Sequence, residues 1–261
     1  MTNNIPYNHL TNKLPSFKDH FSTQSSDYSK YRPDYPQELY DFILAKVNDK
    51  KTAWDCGTGN GQAAIVLSHY FEKVFATDPS AEQIKNATQK NNIEYRIASA
   101  ENSTLMDKSI DLITVAQALH WFDFTKFFAE VKRVAKPDAV ISVWSYELCQ
   151  VDEDTDKIFM KFYHDILEDY WAPERKHVEN AYSNIPFPFI EVEEHVFFMK
   201  KQWNLQEFLG YLSTWSAVQK YILTNGNNPI ELVVADFEKA WKNPDTAKEI
   251  SFPVTVKTGR I

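Results

Sequence analysis

The sequence predicts an α/β fold built around a mostly parallel β-sheet, and three observations support this prediction. Apolar segments of strand length alternate with helical segments across residues 52–145, which is the pattern of consecutive strand–helix–strand units. Three of the six glycines lie within five residues, at 57–61, between a strand-like segment and a helical one. Finally, 261 residues of which 43% are hydrophobic can form one large α/β domain.

The first part of the chain, residues 1–36, is polar and rich in Asn, Ser and Pro, with aromatic residues between them. We expect a mobile start here, followed by a helix at 37–48. No basic start is followed by an apolar signal core, and the apolar stretches of the chain are too short to cross a bilayer. The sequence therefore indicates neither a secretory signal nor a membrane span.

A glycine-rich segment, WDCGTGNGQ at residues 54–62, follows the first expected strand. Glycine is used where a backbone needs positive φ or must approach a ligand more closely than a Cβ allows. Residues 52–54 before it are mostly apolar, and residues 62–71 after it have apolar positions at helical spacing. A glycine loop between a buried strand and a helix indicates a binding site for a nucleotide-like ligand.

The second expected strand, residues 74–77, ends at Asp78. An acidic residue about 20 positions beyond a glycine turn, at the tip of the next strand, is suited to accept hydrogen bonds from two ribose hydroxyls. The alternative is an ordinary carboxylate at the end of a strand. The glycine loop upstream favours the ligand-binding interpretation.

The spacing of the glycines separates two classes of ligand. A dinucleotide fold uses G-x-G-x-x-G and places a pyrophosphate at the helix N-terminus, whereas this chain has G-x-G-x-G. Asp55, two residues before the first glycine, would repel a pyrophosphate but attract an ammonium group. This pattern favours S-adenosylmethionine (SAM), which has an amino acid tail and no phosphate, over the NAD of an oxidoreductase.

At this point the chain resembles a known family, the class I SAM-dependent methyltransferases. Residues 53–61 together with Asp78 are similar to the cofactor-binding motifs of that family. Residues 111–122 resemble its fourth strand and the loop that follows, residues 127–137 the next helix with its lysine–proline stop, and residues 139–144 its fifth strand.

The resemblance implies a Rossmann-like class I methyltransferase fold, in which helices flank a mostly parallel seven-stranded sheet. It also implies a methyltransferase domain at 37–261, a helical cap inserted after strand five at about 146–190, and a segment at 1–36 that covers the cofactor. One departure is Asp138-Ala139, where many relatives have glycines. We therefore expect a turn of different shape at that point.

The later elements follow from periodicity. Residues 151–171 predict one amphipathic helix with an aromatic and aliphatic stripe made of Phe159, Phe162, Tyr163, Ile166, Leu167 and Tyr170. After a proline-broken loop, the remaining expected elements are a strand at 192–198, two helices near 204–222, a helix at about 229–241 and a closing strand at 250–257.

A parallel α/β sheet binds its ligand outside the carboxyl ends of the strands, so the loops that follow strands one to four should surround one crevice. On this basis and on the resemblance, Asp55, Gly57 and Gly59 should lie near the methionine part of SAM. Asp78 should lie at the ribose and Gln117 near the methyl end. The other residues expected at the cofactor are Tyr28, Arg32, Thr58, Pro79, Ala100 and Glu101, with Ala100 and Glu101 beside the adenine.

Some of these residues have a structural alternative. Glu101 could equally be a turn carboxylate without a ligand. Arg32 is a candidate partner for the cofactor's carboxylate, but it could also face solvent in a turn. Tyr28 and Tyr31 could simply attach the start of the chain to the core.

Three further segments, residues 28–36, 212–217 and 252–256, resemble the branch that contains trans-aconitate methyltransferases and related small-molecule enzymes. This resemblance implies a small-molecule acceptor and, in particular, a carboxylic acid. A carboxylate is ionised at neutral pH, so its methylation requires positioning rather than a general base. Two alternatives remain: a catalytically silent SAM-binding protein, and a methyltransferase for a quinone-like, lipid-like or macromolecular acceptor.

The acceptor pocket should be aromatic, and its expected residues are Tyr31, His120, Trp121, Trp144, Tyr163 and Trp215. His120 is a weak candidate for a catalytic base with a hydroxyl or amine acceptor, because a single histidine without an acid partner more often packs in a loop. The cluster Arg175-Lys176-His177 resembles a solvated loop, although a cationic clamp for an anionic substrate would use the same residues.

Charge and cysteine content restrict the partners. The net charge is −8, and no basic run is long enough for a nucleic-acid track, so nucleic acid and anionic membranes are not expected as partners. Cys56 and Cys149 form neither a metal-ligand pattern nor a disulfide framework. We expect no metal and a cytoplasmic location.

Overall fold

A seven-stranded sheet forms the centre of residues 33–261, the part of the chain that the computed structural model describes. Its order is β3-β2-β1-β4-β5-β7-β6. The strands are β1 (Thr52–Cys56), β2 (Lys73–Asp78), β3 (Ile93–Ile97), β4 (Ile110–Ala116), β5 (Ala135–Tyr146), β6 (Ile190–Trp203) and β7 (Lys248–Arg260). Strands β1 to β5 pair in parallel, and β7 runs antiparallel to both β5 and β6. The predicted mostly parallel seven-stranded sheet is confirmed.

Helices connect these strands. They are α1 (Gln37–Leu44), α2 (Gln62–Leu67), α3 (Ala81–Lys85), α4 (Phe124–Val134), α5 (Glu153–Lys161), α6 (Arg175–Glu179), α7 (Leu205–Ser213), α8 (Ser216–Asn225) and α9 (Val234–Trp241). The helices expected near 37, 62, 204–222 and 229–241 are present, although a 3₁₀ turn, Pro229–Leu232, takes the place of the start of the last one.

Strand order reverses beside β1, because its two neighbours are β2 and β4. The connections that leave the carboxyl ends of β1 and β4 therefore pass to different parts of the sheet, and a crevice opens between them. The glycine loop follows β1 at this crevice, and residues 117–123 follow β4. The fold thus brings the two predicted site loops together.

Apolar side chains cover both faces of the sheet. One cluster contains α1, α2 and the aromatic residues of the insert after β5, and the other contains α4 and residues 178–189. Trp54 and Trp144 belong to opposite clusters and are fully buried. The aromatic stripe of the insert is thereby part of the main core rather than a separate exposed cap.

The helix expected at 127–137 begins and ends earlier, at Phe124–Val134, and Lys136 and Pro137 belong to β5 instead. Lys136 is held there because its Nζ lies 2.7 Å from a carboxylate oxygen of Asp111 on β4. Asp138 adopts positive φ, 63°, which is the conformation that glycine adopts most readily. This turn therefore contains a residue in the left-handed conformation, and that residue is an aspartate where many relatives have glycine.

The single helix expected over 151–171 is wrong in its second half. After α5 the chain forms a π-helical turn at Phe162–Ile166 and then a 3₁₀ turn at Glu168–Tyr170. The rings of Phe159, Phe162 and Tyr163 all pack on Trp215, at centroid distances of 5.4, 6.2 and 5.9 Å. A wider helical turn allows these neighbours to meet one ring, and such turns often occur at functional sites.

Candidate cofactor and acceptor site

The glycine loop is fixed by backbone hydrogen bonds to the next strand. The N–H groups of Gly57 and Thr58 both donate to the carbonyl of Thr77 at the end of β2, at 2.9 and 3.0 Å. The three glycines of the loop have positive φ, 67° at Gly57, 56° at Gly59 and 90° at Gly61. The loop therefore takes a conformation that side-chain-bearing residues adopt only with strain.

The three glycines differ in how much room a Cβ would have, and this difference indicates where a ligand can approach the loop. A Cβ added to Gly57 would lie 2.6 Å from the Cβ of Ala118, and one added to Gly61 would overlap the Oη of Tyr95. A Cβ added to Gly59 would meet only the Oε1 of Gln83, at 3.9 Å. Gly57 and Gly61 thus allow close packing, whereas Gly59 borders open space where a ligand can approach the backbone.

Asp55 lies beneath this loop and is fully buried. Its carboxylate accepts hydrogen bonds from the hydroxyls of Thr58 and Thr114. Burial raises its pKa to about 6, although these hydroxyl hydrogen bonds act in the opposite direction. The structure therefore gives Asp55 a role in holding the loop, and leaves direct contact with an ammonium group as a prediction.

Asp78 connects the end of β2 to the loop. Its carboxylate accepts hydrogen bonds from the N–H groups of Gly59 and Ser80, each at 2.9 Å. Ser80 in turn caps α3, because its Oγ accepts from the N–H of Gln83. Asp78 and the half-buried Pro79 therefore lie beside the open face of Gly59, where the sequence predicts the ribose.

The residues predicted near the adenine follow β3. Ala100 is buried against the α4 side of the core. The Oε1 of Glu101 accepts a hydrogen bond from the N–H of Asp123 at 2.9 Å, which ties this loop to the start of α4. The turn-carboxylate role that we considered for Glu101 is therefore visible, and its contact with a ligand stays a prediction.

Gln117 follows β4 and has positive φ, 54°. Its N–H donates to the carbonyl of Trp144, and its Oε1 accepts from the N–H of Tyr146 at 2.7 Å. Within residues 33–261 no hydrogen bond engages its Nε2. Gln117 lines the small cavity described next, and a residue other than glycine with positive φ beside a cavity is typical of a functional position.

A small cavity of about 80 Å³ lies at the carboxyl end of β4. It is lined by aromatic side chains together with an amide, an imidazole and a guanidinium group. The lining residues are Gln117, His120, Trp121, Tyr146, Trp171, Ala172, Arg175, Tyr211, Trp215 and Ser216. The predicted pocket residues His120, Trp121 and Trp215 are thus brought together.

His120 is buried in the wall of this cavity, and its Nδ1 lies 2.9 Å from the hydroxyl of Tyr182. Burial, and after it the charges of Arg175 and His177, lower the pKa of His120 to about 3. The imidazole is therefore neutral near pH 7 and binds a proton weakly. Such a group is a poor general base.

Arg175, the first residue of α6, is the cation of this cavity. Its Nε donates to the hydroxyl of Tyr163 at 3.0 Å, and its guanidinium lies 5.0 Å from the ring centroid of Trp171 and 5.6 Å from that of Tyr163. The Tyr163 hydroxyl donates in turn to Glu179. Other arginines of the described chain pair with acids, but Arg175 makes no ion pair within residues 33–261.

Two predicted pocket residues lie elsewhere. Trp144 is fully buried between Tyr35 and Tyr40, whose rings meet it edge-on. It lines neither the small cavity nor a second, larger cavity nearby. Tyr163 borders this second cavity of about 520 Å³, which Arg175 also lines. Tyr28, Tyr31 and Arg32 lie outside the described residues.

Sequence reasoning missed Trp171 and Tyr211 as wall residues. Tyr211 precedes Trp215 by four positions, and their rings pack at a centroid distance of 5.8 Å, so the spacing was an available signal. Trp171 follows an irregular stretch of the insert, and no local pattern indicates that its ring packs on Trp215 at 5.4 Å.

From residue 33 to residue 261, no group of His, Cys, Asp and Glu side chains is arranged to hold a metal ion. No helix in the same range has the length and apolar character needed to cross a membrane.

Comparison with known proteins gives a consistent result. The family model of a methyltransferase domain matches residues 54–143. A Dictyostelium discoideum protein that has a provisional methyltransferase name is 34% identical over 255 residues, which cover 94% of this chain and 97% of that protein. A Saccharomyces cerevisiae protein provisionally named as a SAM-dependent methyltransferase is 29% identical over 132 residues, 47% of this chain and 45% of its own.

A solved structure is similar to this chain in fold as well as in sequence. The protein is from Anaeromyxobacter dehalogenans and is provisionally described as a type II methyltransferase. It is 38% identical, with a TM-score of 0.82, and the match covers 88% of this chain and 98% of that one.

Proposed function

This chain belongs to the class I SAM-dependent methyltransferases, and from that premise we propose that it methylates a small-molecule carboxylic acid on oxygen. SAM is the cofactor, so the NAD-dependent alternative is excluded. The observation on which the acceptor class rests is the guanidinium of Arg175, which lines the small cavity and has no acidic partner within residues 33–261.

The residues present fit SAM. Gly59 leaves open space beside a backbone that a ligand can approach, and Asp78 places a carboxylate next to that space. SAM supplies a methyl group made electrophilic by the sulfonium to which it is bound. Asp55, Gly57, Thr58 and Gln117 would hold or orient it, and the aromatic walls of the cavity would exclude water from the acceptor.

Arg175 suits a carboxylate for a physical reason. The planar guanidinium presents donors in a fork that matches two carboxylate oxygens. Its Nε is already engaged by Tyr163, and the rings of Trp171 and Tyr163 restrict its position. The chain as a whole has a net charge of −8. The guanidinium of Arg175, which forms no ion pair within residues 33–261, is a local positive charge in the aromatic cavity and would favour an anionic acceptor there.

Among residues 33–261, no strong base lines the small cavity, and this also supports a carboxylate as the acceptor. His120, with its pKa lowered to about 3, would extract a proton from an alcohol or an ammonium group inefficiently. A carboxylic acid has already lost its proton at neutral pH. Positioning by Arg175 and Gln117 would then be sufficient for transfer.

The resemblance to the trans-aconitate methyltransferase branch supports the same acceptor class through one motif. Residues 212–217 contain Trp215, which lines the small cavity, and Ser216, which lies beside it. We propose that this motif shapes the acceptor pocket. The specific acid remains to be found by assay.

The test is methyl transfer from labelled SAM to a panel of small carboxylic acids, alcohols and amines, with total RNA and mixed lipid vesicles as macromolecular acceptors. We expect label on one or more carboxylic acids. Transfer only to alcohols, amines, RNA or lipid would contradict the proposed acceptor. Tight SAM binding without transfer to any acceptor would instead favour the catalytically silent alternative.

The glycine loop allows a matched pair of substitutions. Gly59→Ala is expected to weaken SAM binding by about tenfold or more, because the new methyl group enters the space beside the backbone. Both residues have positive φ, so alanine costs about 1–2 kcal/mol of stability at either position, and Gly57→Ala should destabilise the fold by about 1–3 kcal/mol more because its Cβ overpacks against Ala118. Calorimetric titration and thermal unfolding separate the two effects, and equal effects on both readouts would contradict this account.

Asp55 predicts a pH dependence of SAM binding. Its pKa is about 6 in the free protein, and a cationic ligand nearby would favour the ionised form. SAM affinity should therefore be constant above pH 6 and fall by up to about tenfold per pH unit below it. Titration calorimetry from pH 5 to 8 checks this, with Asp55→Asn as the control that should remove the slope. A flat profile for the wild type would place Asp55 away from the cofactor's charge.

The cytoplasmic location expected from the cysteines is also part of the proposal. Cys56 and Cys149 are both buried, and neither forms a disulfide within the described chain. Free buried thiols are compatible with a reducing compartment.

A further inference from the structure

Strand β6 forms one edge of the sheet, and within residues 33–261 it pairs only with β7. It is 14 residues long, and its pairing with β7 is regular from Glu193 to Trp203. An unpaired edge of this length presents a row of backbone N–H and C=O groups that can bind another strand. Such an edge is usually shortened, covered, charged, or interrupted by a bulge or a proline. β6 contains no proline, its register shift lies at its start, between Ile190 and Glu193, and its charged residues flank the segment 195–199.

The side chains of β6 are ordered by charge along the strand. Glu193 and Glu194 lie in its first half, and Lys200 and Lys201 lie in its second half. Between them the strand is apolar, with Val196 47% exposed and Phe198 51% exposed. Charges of one sign along a strand edge would repel a second copy of the strand. Charges of opposite sign in the two halves of the strand can instead attract a second copy.

We propose that the free edge of β6 pairs antiparallel with β6 of a second copy, with the two-fold axis at Phe197. In this register Glu194 lies opposite Lys200 of the second copy, Glu193 lies opposite its Lys201, and Val196 lies opposite its Phe198. Each contact occurs twice because of the symmetry. The two seven-stranded sheets become continuous, and the partner is a second copy of this chain.

The register is consistent with strand geometry. Directly opposed residues of an antiparallel pair place their side chains on the same face, and successive opposed pairs alternate between pairs that exchange two backbone hydrogen bonds and pairs that exchange none. The pairs 194 with 200 and 196 with 198 share one face. The pairs 193 with 201 and 195 with 199 share the other face, so one of these two sets carries the backbone hydrogen bonds between the copies.

Existing ion pairs of these residues do not prevent the contact. Within residues 33–261 each of the four charged residues already has a partner: Glu193 lies 2.6 Å from Lys46, Glu194 2.7 Å from Lys257, Lys200 2.9 Å from Glu249 and Lys201 3.2 Å from Asp34. The side chains of Glu193, Glu194 and Lys200 are more than half-exposed. Exposed pairs of this kind are worth only about 0–1 kcal/mol. In the dimer each charge would join a network with both its own neighbour and the opposing strand.

The test is sedimentation velocity of the full chain over a wide range of concentration. Wild-type protein should pass from monomer to dimer as concentration rises. Glu194→Lys places like charges opposite each other at two symmetric positions, and we expect the dissociation constant to rise by about tenfold or more. The double variant Glu194→Lys with Lys200→Glu restores opposite charges across the interface and should recover dimerisation.

Glu153→Lys on α5 is the matched control. It reverses the charge of one partner in the exposed Glu153–Lys157 ion pair, which is far from β6 in sequence. This variant should dimerise as the wild type does. Circular dichroism of each variant confirms that the fold is retained. A wild-type monomer at every concentration, or a Glu194→Lys variant that dimerises normally, would overturn the proposal.

Discussion

Replacing Asp78 with alanine is expected to weaken SAM binding by about hundredfold or more, because two hydrogen bonds to a charged acceptor would be lost at the ribose. Asp78 lies beside the open face of Gly59, and its carboxylate also accepts from the N–H groups of Gly59 and Ser80. Titration calorimetry with SAM measures the effect directly.

The same substitution should leave the fold intact. Two backbone N–H groups lose their acceptor, so we expect a loss of about 1–3 kcal/mol in the free energy of unfolding. Asp78→Asn is the matched control, since it preserves size while removing the charge, and it should bind SAM with intermediate affinity. An unchanged affinity in Asp78→Ala would remove this residue from the ribose.

Arg175→Met should raise the KM for a carboxylic acid acceptor by about hundredfold, since removing one partner of a desolvated charge pair costs about 2–5 kcal/mol. Methionine keeps an unbranched apolar side chain against Trp171 and removes only the guanidinium. SAM affinity should not change, because the Arg175 contacts lie in the acceptor cavity. Steady-state kinetics with the acid identified by the labelled-methyl panel tests this.

Lys176→Met is the matched control for charge. Lys176 is the next residue of the same helix, is exposed and does not line the cavity. Its removal changes the net charge equally but should leave the KM for the acid as it is. Equal losses in both variants would indicate a general electrostatic effect and would contradict a specific role of Arg175.

The central part of the fold follows from the sequence because its signals are local. The glycine spacing at 57–61, the acid at the end of β2 and the alternation of strands and helices each depend on neighbouring residues. The loop geometry agrees in detail, since Gly57, Gly59 and Gly61 all have positive φ. The resemblance to the class I SAM-dependent methyltransferases rests on the same residues.

The acceptor cavity could not be predicted in the same way, because it forms from contacts distant in sequence. Trp171 and Trp215 meet although they are 44 positions apart, and Trp171 directly follows the π-helical and 3₁₀ turns that replace the second half of the expected helix. The local sequence around Arg175 is typical of a solvated basic loop, and only the fold brings the rings of Tyr163 and Trp171 beside its guanidinium. The burial of Trp144, predicted as a pocket residue, likewise depends on distant residues, because Tyr35 and Tyr40 pack on its ring.

The most direct test of the account is the identity of the atom that receives the methyl group. After incubation with labelled SAM and the responsive acid, the product is treated with mild alkali, which hydrolyses a methyl ester and releases the label as methanol. We predict complete release from the wild-type product and little product from Arg175→Met. Label that resists alkali would show transfer to nitrogen, to carbon or to a hydroxyl oxygen and would contradict carboxylate methylation.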